Sequence, residues 1–196
     1  VNFLAHAFLS GENKDFIIGN FIADSVKGKK YLNYRHGIAN GILLHRKIDT
    51  FTDRHPDVSI AKIHLYRHFG KYSSIVCDIY FDHFLALYWE DYSIEPLLSY
   101  TERIYSIIKE ELDGLPEEVK YFFPSMMKHN WLYNYKNFNG LERTFDGMSR
   151  RTQFSSNMDK AVEVLKEEHY FFEGIFRQFF PLLMEYSSKE RNVLEQ

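Results

Sequence analysis

The feature that most limits what this chain can fold into is the spacing of its apolar residues. They return every three or four positions over long runs, and no run shows the strict alternation of a half-buried strand. The 5 prolines and 10 glycines fall between these runs. The pattern predicts an all-α protein: a short apolar opening over 2–10, then helices over 15–26, 35–52, 56–70, 72–90, 95–112 and 159–187. Pro56 suits the first turn of its helix, and Gly114 followed by Pro116 suits a stop. Segment 117–151 reads as shorter helical pieces broken near Asn139, Gly140 and Gly147, the expected place for functional elaboration.

A length of 196 residues suits one compact multi-helix domain spanning 1–196. With 18 Phe and 14 Tyr, its core should be rich in aromatic rings. A net charge of −3 provides no overall basic field for nucleic acid or an anionic membrane, so the aromatic runs 121–135 and 170–180 read as core packing, not base-stacking platforms. Cys77 stands alone and cannot form an internal disulfide. With no apolar stretch of about twenty residues and no signal-peptide pattern, the expectation is a soluble cytoplasmic protein.

The chemistry-bearing residues sit one helical turn apart. His45 and Asp49 are at i and i+4 and share a helix face; Asp78 and Asp82 repeat the spacing, with His83 next to the second. Like charges at i, i+4 cost a few tenths of a kcal/mol in water, roughly, and far more inside an aromatic core. A divalent cation would compensate. His6 and Asp24, each embedded among apolar residues, complete the candidate metal ligands. Mixed imidazole and carboxylate ligation suits manganese, zinc or iron, with manganese or another octahedral ion favoured; Mg²⁺, which prefers oxygen ligands, would keep several waters. Such an ion can polarise a phosphoryl oxygen and acidify bound water, while Asp24 or Asp49 assists proton transfer. Arg46, beside His45, is the candidate contact to a phosphate, with a plain surface arginine as the alternative. Any one of these histidines taken alone would be structural; the two-helix set carries the argument. A di-metal carboxylate bundle fits less well, because Asp dominates and Glu-x-x-His pairs are missing.

Asn2-Phe3-Leu4-Ala5-His6, Gly19-Asn20-Phe21-Ile22-Ala23-Asp24, Gly41 through Asp49 and Asp82-His83-Phe84-Leu85 resemble, in order and spacing, the acyl carrier protein phosphodiesterases. Trp131 to Tyr135 and Gly147 to Arg151 extend the resemblance to nearly the whole chain. It implies release of 4′-phosphopantetheine from holo-acyl carrier protein by a metal-dependent enzyme, typically with manganese, in an architecture like that of the HD phosphohydrolases. The chain departs from the usual HD signature: its pair is Asp82-His83, reversed, and Arg46 follows His45. Because acyl carrier proteins are acidic, Lys27, Lys29, Lys30, Arg35, Arg150 and Arg151 become a candidate docking patch. The competing readings are a phosphohydrolase for a nucleotide or other small phosphoester, and a helical protein that binds acyl carrier protein without turnover.

Overall fold

The computed structural model describes residues 1–150, 152 and 156–196. Among them all regular structure is helical: α1 (Phe3–Leu9), α2 (Lys14–Ile22), α3 (His36–Arg54), α4 (Pro56–Phe69), α5 (Ser73–Leu87), α6 (Leu97–Glu110), α7 (Glu117–Lys128), α8 (Trp131–Asn134), α9 (Phe138–Ser149), α10 (Ala161–Glu167) and α11 (His169–Leu194), joined by short 3₁₀ turns. No helix among the described residues is long and apolar enough to cross a membrane.

Local chemistry sets several boundaries. The Asn13 side chain accepts from the Asp15 and Phe16 amides and starts α2. Pro56 opens α4, where His55 Nδ1 accepts from the Asp57 amide, and Gly70 at φ +52° closes it. The start of α1 is capped from a distance. Asp82, midway along α5, accepts from the backbone amides of Asn2, Leu4 and Ala5 at 2.9, 2.7 and 3.3 Å. These are amides that the first turn of any helix leaves without intrahelical partners.

The core is one continuous aromatic-rich cluster. Helix α5 is its axis, with Ile79 to Ala86 all buried. Phe172, Phe176, Phe179 and Phe180 of α11 are fully buried, whereas Tyr170 of the same run is exposed. Helices α2 and α3 cross almost backbone to backbone. A Cβ at Gly19 would fall 2.1 Å from the Ile38 carbonyl oxygen, and one at Gly41 would fall 2.5 Å from that of Phe16. These two glycines therefore set the interhelical distance, a role their position inside helices does not announce.

Several expectations are corrected. The opening segment is a helix. The last periodic segment is two helices, broken at Glu168 and running on to Leu194. Prolines also occur inside helices, Pro124 in α7 and Pro181 in α11, both on solvent-facing positions where the carbonyl freed by the missing N–H can be hydrated. In the middle segment the breaks fall at Asn130, in the left-handed region at φ +45°, and over 135–137, while Asn139, Gly140 and Gly147 lie within α9. Glycine was a poor guide to breaks there because helix-to-turn packing, not turn geometry, selects Gly140: a Cβ would lie 2.1 Å from the Asn134 carbonyl oxygen.

Candidate functional site

Helix α3 buries a stripe of Ile38, Ile42, His45, Ile48 and Thr52, so an imidazole occupies a core-facing position. His6 does the same in α1, between Ala5 and Ala7. The two rings stack with centroids 3.9 Å apart and planes at 14°. Asp49, one turn beyond His45, bridges them: Oδ1 is 3.2 Å from His6 Nε2 and Oδ2 is 3.1 Å from His45 Nε2. Asp24, exposed at the mouth, places Oδ1 3.5 Å from His45 Nε2. The His6, His45 and Asp49 donor atoms all lie within 4.8 Å of one another.

The orientation of His45 is fixed from behind. Its Nδ1 lies 2.9 Å from both the backbone oxygen and the side-chain Oδ1 of Asn20, two acceptors, so the Nδ1 proton is held there. The Nε2 atom then faces the cleft, the arrangement that partners of metal-binding imidazoles enforce. Asn20 completes the frame by donating through Nδ2 to the His6 backbone oxygen at 3.0 Å and to Ser10 Oγ at 2.9 Å. One fully buried amide thus ties both imidazole-bearing helices together. The close α2–α3 crossing at Gly19 and Gly41 allows this. A divalent ion held by His45 Nε2 is expected to bind about 10- to 100-fold more weakly when Asn20 is replaced with alanine, the usual cost of losing such a partner. Metal titration of the folded variant would check it.

The centre lies in an open cleft of about 340 Å³ whose wall includes Asp24, Asp49, Asp53 and Asp78. Burial works against charge on His45, but its hydrogen bonds with Asp24 and Asp49 prevail and raise its pKa to about 9. Burial and the neighbouring His45 depress His6 to about 4. Burial alone would raise Asp49; its bonds with His45 and His6 outweigh it and hold the carboxylate well below its ordinary range. Asp24 is lowered mainly by its bond with His45. At neutral pH the group therefore carries its proton on His45, beside a neutral His6 and two ionised carboxylates. Two nitrogen donors and a carboxylate converging on one point, with an exposed second carboxylate and an open side, fit a divalent ion of the manganese, iron or zinc type.

The structure thus brings together four of the seven ligand candidates: His6, Asp24, His45 and Asp49. Asp78 reaches the cleft wall, but its Oδ1 faces the Val1 amino group. Asp82 is turned away and spent on capping α1, and burial raises its pKa to about 7 against the pull of the Val1 amine and the three amides. His83 is buried elsewhere. Its Nδ1 donates to the Tyr135 carbonyl at 2.7 Å, and burial lowers its pKa to about 4. The expected face-to-face meeting of His45 and Asp49 with Asp82 and His83 is therefore not formed: only the first turns of α5, with Asp78, reach the cleft, while the start of α1 takes up Asp82 and the Tyr135 carbonyl takes up His83. Arg46 donates to the Val26 carbonyl at 2.8 Å and stacks over Tyr31, outside the cleft lining. Lys27, Lys29 and Lys30 are exposed on the turn just after Asp24. Arg35 is committed to Asp15 and Glu111, at 2.7 and 3.0 Å, which removes it from a free docking surface. Arg150 is exposed near Asp146, and Arg151 lies outside the described residues.

Asn20 is the functional residue that motif spacing missed. Its signal was present, a lone amide in the otherwise apolar run from Phe16 to Ile22.

Fold and centre define a helical protein with a paired-histidine and aspartate site on the floor of an open cleft. The model of the family described as acyl carrier protein phosphodiesterase matches residues 1–183, and the chain belongs to that family of phosphoric diester hydrolases. The relative named acyl carrier protein phosphodiesterase in Photorhabdus laumondii is 30% identical over 190 residues, covering 94% of each chain. Those of the same name in Pectobacterium atrosepticum and Escherichia coli O6:H1 are each 28% identical, covering 97% of this chain and 100% and 99% of their own. No solved structure matches the chain.

Proposed function

We propose that the His6, His45, Asp49 and Asp24 centre hydrolyses the phosphodiester of holo-acyl carrier protein in a divalent-metal-dependent reaction, giving apo-protein and 4′-phosphopantetheine. The observation that carries this reading is the convergence of two imidazoles and a carboxylate within 4.8 Å, in a cleft whose other ionisable side chains, Asp24, Asp53 and Asp78, are all carboxylates. An anionic phosphodiester entering so acidic a cleft meets repulsion unless a cation resides there. His6, His45 and Asp49 would hold that cation, with Asp24 at its exposed side, and manganese suits the mixed donors better than magnesium. When bound, such an ion supplies Lewis-acid polarisation of a phosphoryl oxygen and a more acidic water.

The chain's own groups supply the rest. Asn20 keeps His45 Nε2 aimed into the cleft, and Asp49 balances the charge between the two rings. Asp24, ionised and solvent-facing, is placed to orient the attacking water and receive its proton. The water oxygen adds to phosphorus as the bond to the carrier's serine oxygen breaks, and that oxygen takes up a proton. Lys27, Lys29 and Lys30, directly after Asp24, give an acidic carrier a surface to approach. A substrate panel tests this reading. Holo-acyl carrier protein should exceed nucleotide and aryl phosphodiesters by at least about 100-fold in kcat/KM, roughly 3 kcal/mol of transition-state discrimination. Preference for a small phosphoester would contradict it.

The proton arrangement gives a pH dependence with a definite sign. In the metal-free protein His45 keeps its proton up to about pH 9, whereas His6, at about 4, is already neutral at pH 7. Ligation requires His45 Nε2 free of its proton, so each ion bound below pH 9 expels about one proton. Apparent metal affinity should rise about tenfold per pH unit between roughly 6.5 and 9 and then level off. Calorimetry in buffers of different ionisation enthalpy reads the released proton; an affinity flat over that window would contradict the assignment. The metal-free fold itself should lose the His45 contribution as pH rises from 6.5 to about 9, and lose stability through His6 as pH falls from 6.5 towards 4.

A further inference from the structure

A second cavity, of about 280 Å³, opens beside the cleft, and Phe3 and Met148 line both. Its other walls come from His129 just before α8, from α8, the turn after it and α9, where Trp131 supplies a ring, Asn134 and Thr144 supply polar atoms and Arg143 supplies a guanidinium. The reaction at the histidine and aspartate centre does not use it, yet its walls are firmly built. His83 holds the Tyr135 carbonyl at 2.7 Å, and Asn134 Nδ2 donates to the His129 and Asn130 carbonyls at 2.9 and 3.0 Å. Gly140 seats α9 directly on that turn. Such a wall is formed before any ligand arrives, which spares the ordering cost of binding.

We propose that this cavity is the subsite for the pantetheine arm of the substrate, a slender chain of methyl, amide and thiol groups. The inference rests on the phosphodiesterase reading above. A phosphodiester joins two halves, and of these the folded carrier cannot enter a space of about 280 Å³, whereas the arm can. Because Phe3 and Met148 belong to both spaces, a chain leaving a phosphate in the cleft meets an apolar wall at once. Beyond it, the Trp131 ring covers methyl and methylene groups, while Asn134 Oδ1 and Thr144 Oγ1, whose own hydrogens are spent on backbone carbonyls, accept from amide N–H groups and Arg143 donates to amide oxygens. The volume is near the lower end of the roughly 300–1,000 Å³ of small-molecule sites, which suits a single chain.

Gly147 lies on this wall within α9, and no described atom stands within 4 Å of where its Cβ would be. Gly147→Phe therefore fills the cavity from a helical position with room for a side chain. Gly174→Phe, in α11 away from the cavity and equally open, is the matched control. The probe is pantetheine itself, without phosphate or carrier, followed by calorimetry, with circular dichroism confirming that both variants fold. Wild type and Gly174→Phe should bind it alike, Gly147→Phe at least tenfold more weakly, and KM for holo-acyl carrier protein should rise at least tenfold in Gly147→Phe alone. No binding by wild type, or equal binding by folded Gly147→Phe, overturns the subsite even if wild type hydrolyses the holo-carrier. Binding lost in Gly147→Phe, in a wild type that leaves the holo-carrier intact, keeps the subsite and overturns the phosphodiesterase reading instead.

Discussion

Asp49→Ala should lose at least about 10³-fold in kcat/KM for release of phosphopantetheine, roughly 4 kcal/mol of transition-state stabilisation, while remaining folded. The expectation follows from geometry. Among the described residues Asp49 is the only group whose two oxygens reach both imidazoles, at 3.2 and 3.1 Å, and it is partly exposed, so its removal leaves no buried void. Without it, His6 and His45 remain stacked with no anion between them, and the donor set for a divalent ion falls to two nitrogens plus the more distant Asp24. Melting temperature within a few degrees of wild type, together with loss of turnover and of metal binding, is the expected triad of results. Turnover within tenfold of wild type would remove Asp49 from the centre.

Asp82→Ala should behave in the opposite way, failing through stability. The side chain is fully buried and caps three backbone amides of α1. Each buried donor left unpaired costs about 1–3 kcal/mol, so a total of about 3–5 kcal/mol is expected, allowing for relaxation of the first turn. For a chain of this length that corresponds to a fall in melting temperature of roughly 6–20 °C. Asp82→Asn keeps an acceptor and should recover a large part of it. Thermal melts of the two variants read the difference directly; an alanine variant as stable as wild type would show that α1 does not depend on this cap. Because α1 carries His6, Asp82 also has a route to the centre, as the residue that anchors the helix presenting this imidazole.

The contrast between these aspartates shows what the sequence could reveal. Helical spacing identified the helices and placed His45 and Asp49 on one face, and both statements hold because they depend only on the 3.6-residue period of a single element. The same spacing made Asp78, Asp82 and His83 look equivalent to that pair. What separates them is long-range packing: α1 lies over α5 and consumes Asp82, while the α8–α9 turn consumes His83. No local pattern encodes which buried carboxylate will meet a helix end and which a cleft. Gly19 and Asn20, though within a matched motif, are not marked by spacing as site residues for a related reason. An amide and a glycine inside an apolar helix look unfavourable locally, and their purpose appears only once α2 and α3 approach closely enough for Asn20 to reach His45. Arg35 illustrates the limit for charge reading. Its sequence neighbours suggest a basic patch, but Asp15 and Glu111 arrive from other elements and neutralise it.

The most direct measurement is intact-mass spectrometry of holo-acyl carrier protein incubated with the wild-type protein, first stripped by a chelator and then resupplied with Mn²⁺. The carrier should lose the mass of 4′-phosphopantetheine only after the metal is restored. A carrier of unchanged mass with the manganese-loaded protein, or the same loss from the stripped one, would contradict it.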